Sequence, residues 1–196
     1  MRKLISTLAP SAIFLFITGL ASGVAIAQTV PRPAGEFVIQ HTNGQQLLLS
    51  SFKGKPTVIA LMYATCSHCQ HTSGVLSGIQ QEYGPKGVQF LGATFGDGDS
   101  SRVDAFIKQF KVTFPVGYSN IPAVLKFLGL PENSPYFVPM LVFIDKKGIV
   151  RKQVVGDDKF FDEKSQSENI KAALDSLLKP ASPVTSSKTA KKAPKS

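Results

Sequence analysis

Residues 57–63 read TVIALMY, with no polar alternation after the threonine. That pattern predicts a strand buried on both faces, and so a central parallel strand. Behind it Val75, Leu76, Ile79 and Tyr83 recur at helical spacing, predicting a helix from about Cys66 to Tyr83. Gly84-Pro85 ends it, the glycine as a left-handed cap and the proline as a residue that cannot continue the turn. Residues 88–94 form a second apolar run and close a right-handed β-α-β unit.

The flanks extend this alternation. Runs at 36–40 and 45–49 surround Thr42-Asn43-Gly44, a hairpin signal because Asn-Gly tolerates positive φ. Past a Gly-Asp-Gly-Asp loop at 96–99, Val103, Phe106, Ile107 and Phe110 make the stripe of a packed helix, and 114–118 is extended. Asn120 is placed to cap a helix with Pro122 in its first turn and Gly129 at its end. Residues 140–144 and 149–155 are two strands around Asp145-Lys146-Lys147-Gly148, and Ser165 with Glu168 makes a capping box ahead of Ile170, Leu174, Leu177 and Leu178. The expected class is α/β, a central mixed sheet flanked by helices, with an N-terminal β-hairpin and an inserted α/β element.

The ends are different in kind. Arg2 and Lys3 precede an uncharged stretch from Leu4 to Ala27 that closes on Ala25-Ile26-Ala27, the form of a secretory signal cleaved after residue 27. An uncleaved membrane anchor is the alternative, since about 20 apolar residues span a bilayer. Either way the rest is expected outside the cytoplasm, periplasmic or extracellular. Residues 28–34 read as a linker, 35–179 as the folded domain, and 180–196, built only from Pro, Ala, Ser, Thr, Val and Lys, as a disordered tail. The formal charge of +9 divides unevenly: two cations at the start and four lysines in the tail leave only +3 on residues 28–179. That excludes a nucleic-acid reading of the domain and leaves the tail a weak tether to membrane or cell wall.

The chemistry concentrates at Cys66-Ser67-His68-Cys69, which holds both cysteines of the chain. The pair follows a buried strand and opens a helix, where outward N–H groups favour a thiolate. At this spacing Cys66 lies at the first turn with an accessible sulfur and Cys69 one turn further in, so one can attack and the other resolve. A structural bridge across two residues would remove little loop entropy. Metal binding through the same sulfurs stays open, and the strand-CxxC-helix context favours redox chemistry.

Lys53-Gly54-Lys55-Pro56, the strand after it, Tyr63-Ala64-Thr65-Cys66-Ser67-His68-Cys69, and Val138-Pro139 together resemble the extracytoplasmic thioredoxin-like proteins of the TlpA/ResA and redoxin (AhpC/TSA-type) group. The resemblance covers about residues 35–179 and implies a thioredoxin-like fold and a thiol-disulfide oxidoreductase. It implies Cys66 as nucleophile, Cys69 as resolving cysteine, Pro139 as a cis-proline against the pair, and Thr65, Ser67 and Val138 as substrate contacts. The redox-active disulfide Cys66-Cys69 would be the sole cofactor. The implied partners are protein thiols or disulfides and a further redox protein.

The chain also departs from that group. Thr65 stands where a Trp commonly precedes the first cysteine, Thr72 where members carry an acid three positions after the second, and Ala60 where thioredoxin has its buried Asp. No internal carboxylate is evident to help deprotonate Cys69. His68 resembles the histidine of disulfide-forming CPHC and CGHC motifs and would stabilise the Cys66 thiolate, and with it the reduced form, making the pair a stronger oxidant. Peroxide-reducing relatives have Thr where this chain has Tyr63. A copper-delivery module using the same cysteines is the alternative function. It needs a third ligand from elsewhere, because His71 lies about 160° around the helix from Cys69. His41 is expected on a loop surface, Lys53 and Lys55 in a solvated turn, and Asp97 and Asp99 as helix caps rather than calcium ligands.

Overall fold

The structure is a computed structural model and describes residues 29–179. The expected signal or anchor at 1–27 and the tail at 180–196 lie outside the described residues. Eight strands form one mixed sheet: β1 (Arg32–Pro33), β2 (Val38–Gln40), β3 (Gln46–Leu48), β4 (Thr57–Met62), β5 (Gln89–Thr94), β6 (Val116–Tyr118), β7 (Met140–Ile144) and β8 (Ile149–Val154). Their order is β1-β8-β7-β4-β5-β6-β2-β3. Four α-helices complete the fold: α1 (Ser67–Tyr83), α2 (Val103–Phe110), α3 (Ile121–Leu128) and α4 (Gln166–Leu178). Among the described residues no helix is long and apolar enough to cross a membrane.

All six residues of β4 are buried. It runs parallel to β5 on one side and antiparallel to β7 on the other. Its side chains alternate between two cores: Val58, Ala60 and Met62 pack with α1, α2 and α4, whereas Ile59 and Leu61 pack with α3. Fully burying a Leu or Ile contributes roughly 1.5–3 kcal/mol, so this one strand anchors both layers. The site therefore starts from a fixed point, the C-terminal end of β4.

The Asn43-Gly44 hairpin pairs β2 with β3, and β2 joins the sheet beside β6. Asn120 caps α3 through the Ala123 N–H at 2.9 Å, and Gly129 closes it at φ 69°.

Three local expectations are corrected. Gly84 is right-handed, at φ −56°, and the left-handed residue is Gly87, at φ 91°. Lacking a Cβ, Gly84 escapes the clash that bars most residues from the helical region before proline, so the chain makes another turn first. Ser165 forms no side-chain cap on α4. The Asp162 carbonyl accepts the Ser165 and Gln166 N–H groups at 2.9 and 2.8 Å and holds that entry instead. Within the expected linker, Arg32–Pro33 pairs antiparallel with β8. There the buried Arg32 guanidinium donates to the Phe127 carbonyl at the end of α3 and to Gln153, both at 2.8 Å.

Candidate active site

Cys66 is the N-cap of α1, in extended conformation, and its sulfur accepts the Cys69 N–H at 3.3 Å. An N-cap acceptor is normally an oxygen of Ser, Thr, Asp or Asn; a sulfur there receives the same orphan donor and the positive end of the helix dipole. The Cys66 sulfur is half-buried and lies 4.0 Å from the Val138 carbonyl oxygen. Cys69 is fully buried. Burial above all, with its hydrogen bond to Cys66 second and the charges of Cys66 and Asp99 beyond that, pushes the Cys69 thiol well above its ordinary value. The outer sulfur is thus reachable and the inner one is held neutral.

The loop opposite is built around a cis Val138–Pro139 bond. Pro139 is buried, Val138 half-buried, and Phe137 is 58% exposed beside them. The Phe137 carbonyl accepts the Gly156 N–H at 3.1 Å. A Cβ on Gly156 would stand 2.6 Å from the Val138 carbonyl group, so only glycine lets the β8 exit pass so near. Tyr63, at the end of β4, bonds hydroxyl to hydroxyl with Tyr136 at 2.6 Å, and both rings pack on Phe95. Burial, then the Tyr136 bond, drives the Tyr63 hydroxyl far above its usual ionisation range.

Thr65, Ser67 and His68 are exposed around Cys66. The His68 side chain makes no hydrogen bond among the described residues. Ala60 is buried among apolar neighbours, and Thr72 accepts a 2.9 Å bond from Gln166. Neither position supplies a carboxylate.

Asp99 does. Expected as a helix cap, it caps nothing: the N-cap of α2 is Arg102, without a side-chain bond. Its carboxylate is folded inward, 2% exposed, and one oxygen accepts the Ala64 N–H at 3.1 Å and the Gly96 N–H at 2.9 Å. The reason is local. Met62 is the last β4 residue paired with β5, so the buried Ala64 N–H needs a partner from outside the ladder. A Gly-rich loop with a carboxylate provides one. The sequence signal was the Gly-Asp-Gly-Asp run itself, but its packing under the cysteine turn depends on tertiary register.

Lys53 and Lys55 are exposed, as expected, and with Lys146 and Lys147 they rim a cavity of about 460 Å³. It lies at the opposite pole of the sheet, where β4 starts and β7 ends, away from the sulfurs. His41 is half-buried in its loop and His71 exposed. Among the described residues no three His, Cys, Asp or Glu side chains gather closely enough to hold a metal ion.

A family model described as Redoxin matches residues 27–173. The thiol-disulfide oxidoreductase ResA of Geobacillus thermodenitrificans is 26% identical over 150 residues, 76% of this chain and 80% of that protein. The chloroplastic peroxiredoxin Q of Triticum aestivum is 27% identical over 157 residues, 79% of this chain and 69% of that one. The solved structure of a thiol:disulfide interchange protein of the thioredoxin family from Chlorobium tepidum superposes with a TM-score of 0.63 at 20% identity, covering 78% of this chain and all of that one. The fold is thioredoxin-like.

Proposed function

The chain belongs to the Redoxin family, and from that premise we propose that it is a thiol-disulfide oxidoreductase that exchanges disulfides with protein thiols through Cys66 and Cys69. The observation that carries this reading is the asymmetry of the two sulfurs. Cys66 caps a helix, faces the Val138-Pro139 loop and is accessible, whereas Cys69 is sealed beneath it.

The reaction runs by two exchanges. With the pair oxidised, a substrate thiolate attacks the Cys66 sulfur, and Cys69 leaves as a thiolate that takes up a proton. A mixed disulfide between Cys66 and substrate results, lying across the Val138-Pro139 edge with Thr65, Ser67 and Phe137 around it. A second substrate thiolate then attacks the substrate sulfur and expels Cys66, now carrying the electron pair. Two electrons have moved from substrate to protein. In reverse the reduced Cys66 attacks a substrate disulfide, and Cys69 loses its proton and resolves. The high barrier to ionising Cys69 keeps it from competing as the first nucleophile.

Peroxide fits less well as substrate, because the position three before Cys66 is a tyrosine whose hydroxyl is committed to Tyr136. The charged start and the apolar segment ending at Ala27 support an exported protein, placed where protein thiols and disulfides coexist.

Cys69→Ser stops resolution and should accumulate disulfide-linked partners on Cys66 in cells, resolved by reducing agent and absent from Cys66→Ser. Equal recovery from both variants would reject Cys66 as the attacking group.

A further inference from the structure

The four lysines at the pole away from the sulfurs are brought together by the sheet. Thr57, the first residue of β4, pairs with Ile144, the last of β7, so the turn before one strand meets the turn after the other. The Gly54 N–H donates to the Lys146 carbonyl at 3.2 Å and joins them, with Lys53 and Lys55 on one side and Lys146 and Lys147 on the other. The Ala34 N–H donates to the Gly148 carbonyl at 2.9 Å and brings in a third wall. Between these walls lies the cavity of about 460 Å³. Its floor is apolar: Ala34, Leu49 and Ile144 are buried there and Phe52 half-buried, all belonging to the layer packed with α3.

All four lysines are exposed, and none forms an ion pair among the described residues. The two acids that line the cavity are already committed. One Glu36 oxygen accepts the Phe37 and Ser50 N–H groups at 3.0 and 3.1 Å, and Asp145 accepts from the Lys147 and Ile149 N–H groups and the Arg151 guanidinium. Asp145 is thus matched by Arg151, and four lysines face Glu36 alone, a surplus of three. That equals the formal surplus of residues 28–179, so the rest of the domain sums to zero. A cleft lined by one sign of charge over low-dielectric walls concentrates the opposite ion. The chain's own ends supply none, because residues 1–28 and 180–196 carry no acidic side chain.

We propose that this cavity binds a single-chain anionic amphiphile, an alkyl phosphate or carboxylate whose head is held by Lys53, Lys55, Lys146 and Lys147 and whose chain lies on Leu49, Phe52 and Ile144. Size selects the class. The volume has room for roughly 15 groups the size of a water molecule, which is a head and about ten carbons. The two acyl chains of a phospholipid exceed it, and an inorganic anion leaves the apolar floor uncovered. The site lies at the start of β4 and Cys66 beyond its end, so this binding stands apart from thiol exchange and does not depend on it.

The test is calorimetric titration of the purified native protein with decyl phosphate below its micelle concentration. One molecule should bind per chain, and inorganic phosphate and decyltrimethylammonium should each bind at least about tenfold more weakly. Hexyl phosphate, four methylenes shorter, should also lose at least about tenfold. Lys53→Glu with Lys146→Glu should weaken decyl phosphate by about tenfold or more, whereas Lys159→Glu with Lys164→Glu, the same charge change on the exposed loop after β8, should leave it unaltered. In NMR spectra of the native protein the Gly54 and Gly148 amides should shift during the titration while those of Cys66 and Cys69 stay in place. Equal weakening by both lysine pairs would mean attraction to net charge alone and overturn the proposal. So would the absence of saturable binding, shifts confined to the Cys66 end, or attachment to phosphatidylglycerol vesicles without binding of the soluble amphiphile.

Discussion

The Tyr63 and Tyr136 hydroxyls are 2.6 Å apart and tie the end of β4, three residues before Cys66, to the loop three residues before Pro139. One bond thus joins the two segments that must face each other for exchange. A half-buried hydrogen bond of this kind is worth about 1 kcal/mol net. Tyr63→Phe and Tyr136→Phe should each reduce the unfolding free energy measured in urea by about that amount. The double variant should lose little more than either, because both remove the same interaction. Additive losses would show that the rings, not the bond, do the joining.

Gly156→Ala places a methyl group against the Val138 carbonyl. The loop has to yield, at a cost of about 1–3 kcal/mol, and thiol exchange should fall with it. Gly78→Ala is the control: it meets nothing within 4 Å on α1 and should stabilise by up to about 1 kcal/mol. Chemical denaturation of the two variants, compared with dithiothreitol-driven exchange rates, checks both.

Phe137 is exposed on the rim of the site. Phe137→Ser should change stability by no more than about 0.5 kcal/mol while raising KM for protein thiols and leaving exchange with glutathione unaltered. An equal loss on both substrates would mean that the residue shapes Cys66 rather than meeting a partner.

Acid stability should involve Asp145. Burial pushes its carboxyl up, but the N–H groups of Ile149 and Lys147 and the Arg151 guanidinium at 2.7 Å outweigh that and hold it below the ordinary value. A carboxylate depressed in the folded state stabilises fully above its unfolded pKa of about 4 and loses that contribution as pH falls through the folded value. The stability difference between native protein and Asp145→Asn should therefore be largest near neutrality and shrink below about pH 4. Denaturant titrations at several pH values measure it.

Much of this arrangement was legible because it is local. The uninterrupted run in β4, the Asn43-Gly44 turn, the Asn120 cap and the Cys-x-x-Cys spacing each announce themselves within a few residues. The carboxylate of Asp99 was not legible, since its role exists only when the β5 exit packs under the β4 exit, 35 residues away in sequence. A two-residue edge strand such as β1 carries too little pattern to read, and Arg32 is buried there only because α3 ends against it. Ser165 and Glu168 had the right spacing for a capping box, but the turn from Asp162 reached the helix start first.

Whether the two sulfurs form one reversible two-electron couple is tested most directly by incubating the purified protein across glutathione ratios and counting alkylated cysteines by mass. The expected result is molecules with both cysteines blocked or neither, the proportions tracing one transition from either direction. Two independently reacting thiols, or a bond that forms and never reopens, would contradict it.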